Sequence, residues 1–323
     1  MEIRVATFNL ENFDVSEETP TLEQRISIMR PQIKRLNADI LCMQEVNSQE
    51  GEGGNRLLQA LEELFQGTIY STYNITCTTT KEGKYCEERN LVIASKYNIS
   101  ESNQINNELI NAPYYRSITA IPSEAEAKPI IWDRPILYTK IEADENLLLH
   151  VINLHLKSRI PTEIPGQKVT GYKWASNPGW AEGYFISSMK RVGQALETRL
   201  LIDQIFDEDN EAKIIVCGDF NAHPLEVPVE AIAGRVENTG NGDLTTRVMI
   251  SCENTIPMSS RHSYIHQGQK RLLDHMLFSN SLLPGFKFAE IHNETLHDES
   301  IAYATDTKFP ESDHAPFVAL FDI

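Results

Sequence analysis

The stretch AKIIVCGDFNAHP, residues 212–224, decides the fold. Ile214 to Cys217 form an apolar, mostly β-branched run, short enough for a buried strand and too short for a helix. The run stops at Gly218-Asp219-Phe220-Asn221. In an extended chain, alternation sends Asp219 and Asn221 to one side and Phe220 to the other. Gly218, with no Cβ, lets another backbone approach closely. The bland reading of the same residues is a capped turn after a strand. Just upstream, MKRVGQALETRLLIDQIF (189–206) has helical periodicity, so a helix feeds this strand.

The same rhythm opens the chain. IRVATFNL (3–10) reads as a buried strand. TLEQRISIMRPQIKRLN (21–37) reads as a helix with Leu22, Ile26, Met29, Ile33 and Leu36 on one face, bent or divided at Pro31. ADILCMQEV (38–46) is the next strand, with Glu45 at its end. RLLQALEELF (56–65) is a short helix. IYSTYNIT (69–76), NLVIASKYNI (90–99), YYRSITAIP (114–122), PILYTKIEA (135–143) and LLLHVINLHL (147–156) read as strands, with a hairpin turn at 144–146. RHSYIHQGQKRLLDHMLFS (261–279) holds two short strands around a Gly268 turn, and HAPFVALFDI closes the chain. Residues 160–188 are less regular, with two tryptophans, three prolines and four glycines. They read as a loop or lid near a pocket, or as a packed excursion anchored by Trp174 and Trp180.

This order fits an α/β fold: a four-layer sandwich of two central, mainly antiparallel sheets flanked by helices. Both sheets need their outer faces covered, which places the helices outside. The informative polar residues fall near both termini and in the middle, so residues 1–323 are expected to form one domain.

Composition narrows the function. Of 323 residues, 41% are apolar, ordinary for a large core. The net charge is −17, from 29 Lys and Arg against 46 Asp and Glu. Such a balance steers polyanions poorly and argues against dense non-specific DNA binding, though it leaves room for a local basic patch. Cys42 and Cys217 lie in apolar runs and read as buried thiols. Cys77 and Cys86 flank a hairpin-like stretch, where a local disulfide stays open. No cysteine pair has zinc-site spacing. The chain enters its first strand at residue 3 without a basic, apolar leader, and no run is long enough to span a membrane. A cytoplasmic location, a monomer and no stable membrane insertion are the expectations.

Polar residues gather at the ends of apolar runs. They are Asn9 and Glu11, Glu45, Arg134 in WDRP, His155 in VINLHLKS, Asp219 and Asn221, Asp274 in RLLDHMLFS, and Asp313 and His314 in SDHAPFVALF. A β-rich scaffold brings such ends to one pocket mouth. Mg²⁺ prefers oxygen ligands, and a buried Glu45 would need a metal or a strand-end salt bridge for compensation. Asn9 and Glu11 alternate with Phe8 and Leu10, so both can face one side, and Asn9 could orient Glu45 or touch the metal. Asp219 could take a proton from, or orient, an attacking water, with Asn221 donating to a phosphate. His155, alternating outward from an apolar surface, and His314 suit proton transfer or hydrogen bonding to phosphoryl oxygen. Asp274 could fix the His314 tautomer, or pair with Arg271. Asp313 could be a second metal carboxylate, and Arg134 a phosphate clamp or a strand-end ion pair. Lys157 and Arg191 are weaker phosphate candidates. Arg191 has no acidic residue at helical spacing and reads most simply as a solvated position. His223, His262, His266 and His275 read as incidental or structural.

Taken in order, TFNLENF, QEV, NLHLKS, GDFN, LDH and SDHAP resemble the endonuclease/exonuclease/phosphatase superfamily, the fold of DNase I and exonuclease III-type nucleases, across essentially residues 3–321. The resemblance implies hydrolysis of a phosphoester with Mg²⁺, or Mn²⁺ in its place. It implies that Glu45 anchors metal with help from Asn9 and Asp313. It also implies that His314, paired with Asp274, acts as base or phosphate contact, and that Asp219 and Asn221 line the attacking position. The form of NLHLKSR is closest to bacterial nuclease-like members. DNA is the first expected substrate, and a small nucleotide, inositol or lipid phosphate the second. Lys168, Lys173, Lys190 and Arg191 would face DNA; Trp174, Trp180 and Tyr184 would close over a small molecule.

Overall fold

Two parallel strand pairs organise the molecule. The computed structural model describes residues 1–171, 173–305 and 307–323, with every side chain among them except that of Glu52. Tyr172, inside the irregular 160–188 segment, lies outside the described residues. In the first sheet the strand Glu2–Phe13 runs parallel to Ile40–Val46. In the second, Leu147–His155 runs parallel to Lys213–Asp219. Each pair is joined by a crossover helix, α1 (Leu22–Leu36) in one case and α3 (Asn177–Glu208) in the other. Antiparallel neighbours extend both sheets to six strands. The first runs Phe286–Ile291, Phe317–Asp322, Glu2–Phe13, Ile40–Val46, Asn90–Ser95, Asn74–Cys77. The second runs Met249–Ser251, Asp274–Ser279, Lys213–Asp219, Leu147–His155, Ile136–Asp144, Asn98–Ile105.

The four central strands are apolar on both faces because both faces are buried. Residues of one parity fill the space between the sheets: Ile3 and Val5, Ile40 and Cys42, Leu149 and Val151, Ile215 and Cys217. The other parity packs outward. Ala6, Phe8, Leu41 and Met43 meet Ile26, Met29 and Ile33 of α1 and Leu61 and Leu64 of α2 (Gln59–Phe65). Ile152, Leu154, Ile214 and Val216 meet Ala195, Leu201 and Ile202 of α3 and Val229 and Ile232 of α4 (Val227–Ala233). The result is the four-layer sandwich.

The inward parity carries one more message. Toward the carboxyl ends of these strands it changes from apolar to polar. Thr7, Gln44 and Asn153 form a fully buried layer that clamps the sheets together. The Gln44 amide donates to Thr7 Oγ1 at 3.0 Å and to Asn153 Oδ1 at 2.6 Å. The Asn153 amide donates to the carbonyls of Met43 and Val92. One step further along the same faces stand Asn9, His155 and Asp219. Gly218 pairs with Leu154 in the parallel ladder, and a Cβ there would collide with the Leu154 carbonyl. The close approach read from the sequence is therefore real.

Several local expectations are corrected. Pro31 does not divide α1, which is continuous from Leu22 to Leu36. The carbonyl that loses its partner is that of Ser27, on the exposed face where water serves it. The helix starts on a reciprocal Thr21–Gln24 capping box and stops at Asn37 in the left-handed region. Ile69–Thr72 is a 3₁₀ turn rather than strand, and 90–99 is two strands that pass from one sheet to the other. Of 114–122 only Tyr114–Tyr115 is extended in a ladder. The backbone N–H groups of Ile118 and Thr119 bond instead to the Glu182 carboxylate of α3.

The 160–188 segment is no free lid. α3 begins at Asn177, capped by Ser176 with Pro178 in its first turn. The glycines that read as breakers are notches. A Cβ on Gly179 would strike Gln167, one on Gly183 the Thr162 carbonyl, and one on Gly193 the Trp132 ring. Through these notches residues 106–133, 160–171 and 173–174 pack onto α3 as a lobe around Ala120, Ile130, Trp132, Ile164 and Ile186. Trp174 belongs to that lobe, whereas Trp180 is 48% exposed. All five cysteines are free thiols, Cys77 and Cys86 included.

Candidate active site

Parallel pairing places the carboxyl ends of four central strands at one edge of the sandwich. Asn9, Glu11, Glu45, His155 and Asp219 come from those ends. Asp274 and His314 come from antiparallel neighbours, whose starts lie at the same edge. His155 sits opposite Asp219 in the ladder, and Asp219 sits opposite Asp274. His155 faces inward between the sheets, 2% exposed, and not outward as alternation from an apolar surface had suggested.

The dyad is well defined. His314 Nδ1 lies 2.7 Å from Asp274 Oδ2, and its Nε2 points toward Asp219 Oδ2 at 4.0 Å. Burial works against a charged ring, but Asp274, Asp219 and Asp313 together hold its pKa well above the ordinary histidine value. Arg271 is not the partner of Asp274. Burial pushes the Asp219 carboxyl up to about 7, with Asp274 and Glu45 adding to the rise while His314 and the Asn221 N–H oppose it. Asp219 accepts from Asn9 Nδ2 at 3.2 Å, from the Asn221 backbone at 2.8 Å and from the Asn221 amide at 3.0 Å. The Asn221 amide also donates to the Leu156 carbonyl. Asn9 and Asn221 thus brace Asp219. His155 Nε2 stands 3.4 Å from Asp219 and 3.5 Å from Glu45. Burial, with Arg134 and His314 adding, drives its pKa well below the usual value, so the ring is neutral.

Strict alternation does not deliver the carboxylates. Glu11 and Glu45 have φ of 51° and 59°, and Asn221 has 49°. The Glu2–Phe13 strand bulges between Asn9 and Phe13. Arg25 holds that bulge: it is buried on the apolar stripe of α1 and donates to the carbonyls of Leu10 (2.7 Å) and Glu11 (2.9 Å). Sequence reading missed Arg25, although a charged residue on an otherwise apolar stripe was the signal. Glu45 Oε2 then accepts from the Asn12 N–H, and Glu11 Oε2 from the Asp313 N–H.

Cations border the acidic centre. Arg134 lies in the field of Glu45 and Asp219, and among the described residues its guanidinium makes no hydrogen bond or ion pair. Arg89, which sequence reading passed over, reaches the same place and bonds Asn12 Oδ1 at 3.3 Å. Lys157 and Lys190 are both held by Asp133. Arg191 is buried rather than solvated, because it donates to the carbonyls of Lys157 and Ser158 and fixes the chain just after His155.

The donor set fits a hard divalent cation. Ligand atoms of Asp219, Asp274 and His314 lie within 4.8 Å of one another. Two of these are joined by the 2.7 Å dyad bond, and a protonated ring is no ligand. Glu11, Glu45 and Asp313 converge beside them and offer the oxygens such a cation prefers. Burial raises the carboxyls of Glu11 and Asp313 and Glu45 adds to both, while Arg25 opposes the rise at Glu11 and His314 opposes it at both. Asp274 Oδ1 and His155 Nδ1 are buried without hydrogen-bond partners among the described residues.

One further residue supports the dyad, and another beside it supports the fold. Ser263 Oγ accepts from the backbone N–H of Leu273 (3.1 Å) and Asp274 (3.0 Å), and its carbonyl accepts from the Ala315 N–H. It ties both halves of the dyad to one hairpin, Tyr264–His266 with Gln269–Arg271. Ser263→Ala should lower kcat by about 10- to 100-fold with little change in KM, and Ser263→Thr should restore most of it. Equal kinetics for Ser263→Ala and wild type would remove that role. His275 faces away from Asp274, as its position in a strand required. Its ring lies 2.9 Å from Glu253 and 2.8 Å from the Ala222 carbonyl, so both nitrogens carry protons. Burial opposes that charge, but Glu253 outweighs it and raises the pKa. The pair therefore stabilises the fold fully below the unfolded value of 6.5, and loses that contribution as pH rises through the folded value. A plot of Tm against pH should fall across that alkaline window and flatten in Glu253→Gln.

The chain belongs to the endonuclease/exonuclease/phosphatase family, whose model matches residues 6–314. With this site it is a metal-dependent hydrolase of phosphoric esters. Solved structures agree on the fold. Truncated Caenorhabditis elegans TDP2 superimposes with a TM-score of 0.59 at 16% identity, covering 100% of this chain and 98% of that one. A Bacteroides thetaiotaomicron protein of the same family gives 0.60 at 15% identity, with 100% and 96% covered. The 3′ phosphatase NExo of Neisseria, bound to a product DNA hairpin, gives 0.53 at 14%, with 99% and 100% covered. No curated protein sequence matches. No helix among the described residues is long and apolar enough to cross a membrane.

Proposed function

We propose that this chain is a Mg²⁺-dependent nuclease, with Mn²⁺ able to substitute, that hydrolyses DNA phosphodiesters by in-line attack of water. The reading is carried by the facing pair of Asp219 and His314, 4.0 Å apart, with the His314 ring oriented by Asp274 at 2.7 Å. Asp219 takes the proton of the attacking water. His314 and Arg134 stabilise charge on the phosphoryl oxygens, and His155 donates from its neutral ring. Asn9 and Asn221 fix the Asp219 carboxylate. Glu45, Glu11 and Asp313 would hold the cation, which would supply Lewis-acid stabilisation of the transferring group. The Neisseria enzyme's DNA hairpin supports a nucleic-acid substrate on this fold.

A smaller phosphorylated substrate is the second reading. It is favoured by the net charge of −17, which steers a long polyanion poorly. The test is hydrolysis of plasmid and single-stranded DNA beside bis-p-nitrophenyl phosphate and a panel of nucleotide, inositol and lipid phosphates. Activity should appear with Mg²⁺ or Mn²⁺, vanish with EDTA and vanish in Glu45→Ala. Turnover of a small phosphate without DNA cleavage would replace the first reading by the second.

A further inference from the structure

Beneath the catalytic edge lies a second histidine–carboxylate pair that touches no reacting atom. His275 follows Asp274 in the strand Asp274–Ser279, so its ring points to the opposite face of the sheet. Leu277, of the same parity, packs in the outer layer with Phe220 and with Val229 of α4. His275 is fully buried, and so is Glu253 in the 3₁₀ turn Cys252–Thr255. Apolar residues of similar size often replace a buried ion pair without loss of stability. Filling this space therefore needs no ions, and the bonds the pair makes are the feature to explain.

The ring grips the segment Gly218 to Ala222 along its whole length. His275 stands opposite Gly218 in the antiparallel ladder. Its ring packs on Phe220, with centroids 5.1 Å apart at 47°. Its Nε2 donates to the Ala222 carbonyl at 2.8 Å, and its Nδ1 lies 2.9 Å from Glu253 Oε1. Asp219 and Asn221 stand between these contacts. Asn221 has a φ of 49°, a conformation that persists only where its surroundings enforce it. On the near side, the Phe220 N–H bonds the Leu273 carbonyl and the Asn221 N–H bonds Asp219 Oδ1. On the far side, His275 holds the Ala222 carbonyl and Glu226 Oε2 accepts from the His223 N–H, while Arg159 reaches the Asn221 carbonyl only at 3.5 Å. Because the Asn221 amide donates to Asp219 Oδ2 at 3.0 Å, a shift of one residue moves the other.

We propose that Glu253 and His275 are positioning residues for hydrolysis: through the Phe220 ring and the Ala222 carbonyl they hold the turn that aims Asp219 and Asn221 at the reacting phosphate. This inference rests on the roles given to Asp219 and Asn221 above. An imidazole bonded at both nitrogens cannot turn, and a fixed ring fixes the two groups it touches. Misplacing a reacting group by on the order of 1 Å costs about 100-fold in rate, so a bond to a backbone carbonyl three residues from Asp219 is close enough to matter. A pair that served the fold alone would be replaceable by any apolar pair of the same volume.

The experiment compares wild type, Glu253→Gln, the double variant Glu253→Leu/His275→Phe, Phe220→Leu and Asp219→Asn. Three quantities are read: kcat and KM on the phosphoester that wild type turns over fastest, Tm, and hydrogen exchange of residues 213–223 in EDTA. The double variant keeps a ring against Phe220 and leaves no lone buried charge, so its Tm should stay near wild type. Its kcat should nevertheless fall about 10- to 100-fold with KM unchanged, and the Phe220 and Asn221 amides should exchange faster. Glu253→Gln, whose amide can donate to Nδ1 while Nε2 still serves Ala222, should keep most of kcat. Phe220→Leu, an apolar change that breaks the other grip, should lower kcat with KM kept. A wild-type kcat per folded molecule in the double variant, with Asp219→Asn inactive, overturns the positioning role alone. A lowered kcat with unchanged exchange at 213–223 places the defect elsewhere and overturns it too. A wild-type kcat in Asp219→Asn overturns the role of Asp219, and the positioning role with it.

Discussion

His314→Ala is expected to lower kcat for phosphodiester hydrolysis by about 10³-fold, which corresponds to ~4 kcal/mol of barrier. The size follows from two losses at once. The ring proposed to stabilise the phosphoryl group disappears, and Asp274 loses the partner 2.7 Å away that makes its burial tolerable. Asp274 is 1% exposed and its other oxygen already lacks a partner, so the empty site leaves a lone buried carboxylate beside Asp219. Asp219 then loses the neighbour that opposes its upward shift and takes up its proton at higher pH. The alkaline side of the activity profile should carry the residual rate. His314→Gln, which keeps a donor, should recover part of the loss. A His314→Ala protein within tenfold of wild type would mean that the dyad serves the fold and not the reaction.

Glu197→Ala is the largest expected loss of stability, about 3–5 kcal/mol, or roughly 5–10 °C in Tm. Glu197 of α3 is fully buried. Its carboxylate accepts from the N–H groups of Asn107 (3.0 Å), Glu108 (2.7 Å) and Leu109 (3.0 Å) and from Trp132 Nε1 (2.6 Å). Alanine strands all four donors. The damage should reach the site, because Arg134 follows Trp132 by two residues and its carbonyl is held by the Gln194 amide at 2.9 Å. KM should therefore rise as Arg134 loses its fixed place. Thermal denaturation and limited proteolysis between residues 106 and 133 would show it, and Glu197→Gln should fall between the two. A Tm within 1 °C of wild type would refute the anchoring role.

The legible part of this molecule was its rhythm. Apolar runs ending in Asn9, Glu45, His155 and Asp219 announced four strands, and two strong helical periods announced the crossovers. The polar ends were chemistry in plain view. Other features follow from tertiary packing, which local patterns do not carry. Whether His155 looks out or in depends on which parity faces the second sheet, and Val151 and Ile152 are equally apolar. The start of α3 was hidden because Gly179, Gly183 and Trp180 look like loop residues until the lobe that fills the glycine notches is known. Arg89 and Ser263 act through amides and long-range placement, so their residue type gave little warning, whereas Arg25 showed itself only as a charge on the apolar stripe of α1.

The left-handed backbone at Glu11, Glu45 and Asn221 carries a lasting consequence. Each such residue costs on the order of 1 kcal/mol relative to relaxed backbone, and glycine at the same place would not pay it. Glycine there would also remove the carboxylates and the amide that define the centre. A laboratory selection for heat tolerance alone would therefore erode these positions first and yield a hardier, inert protein.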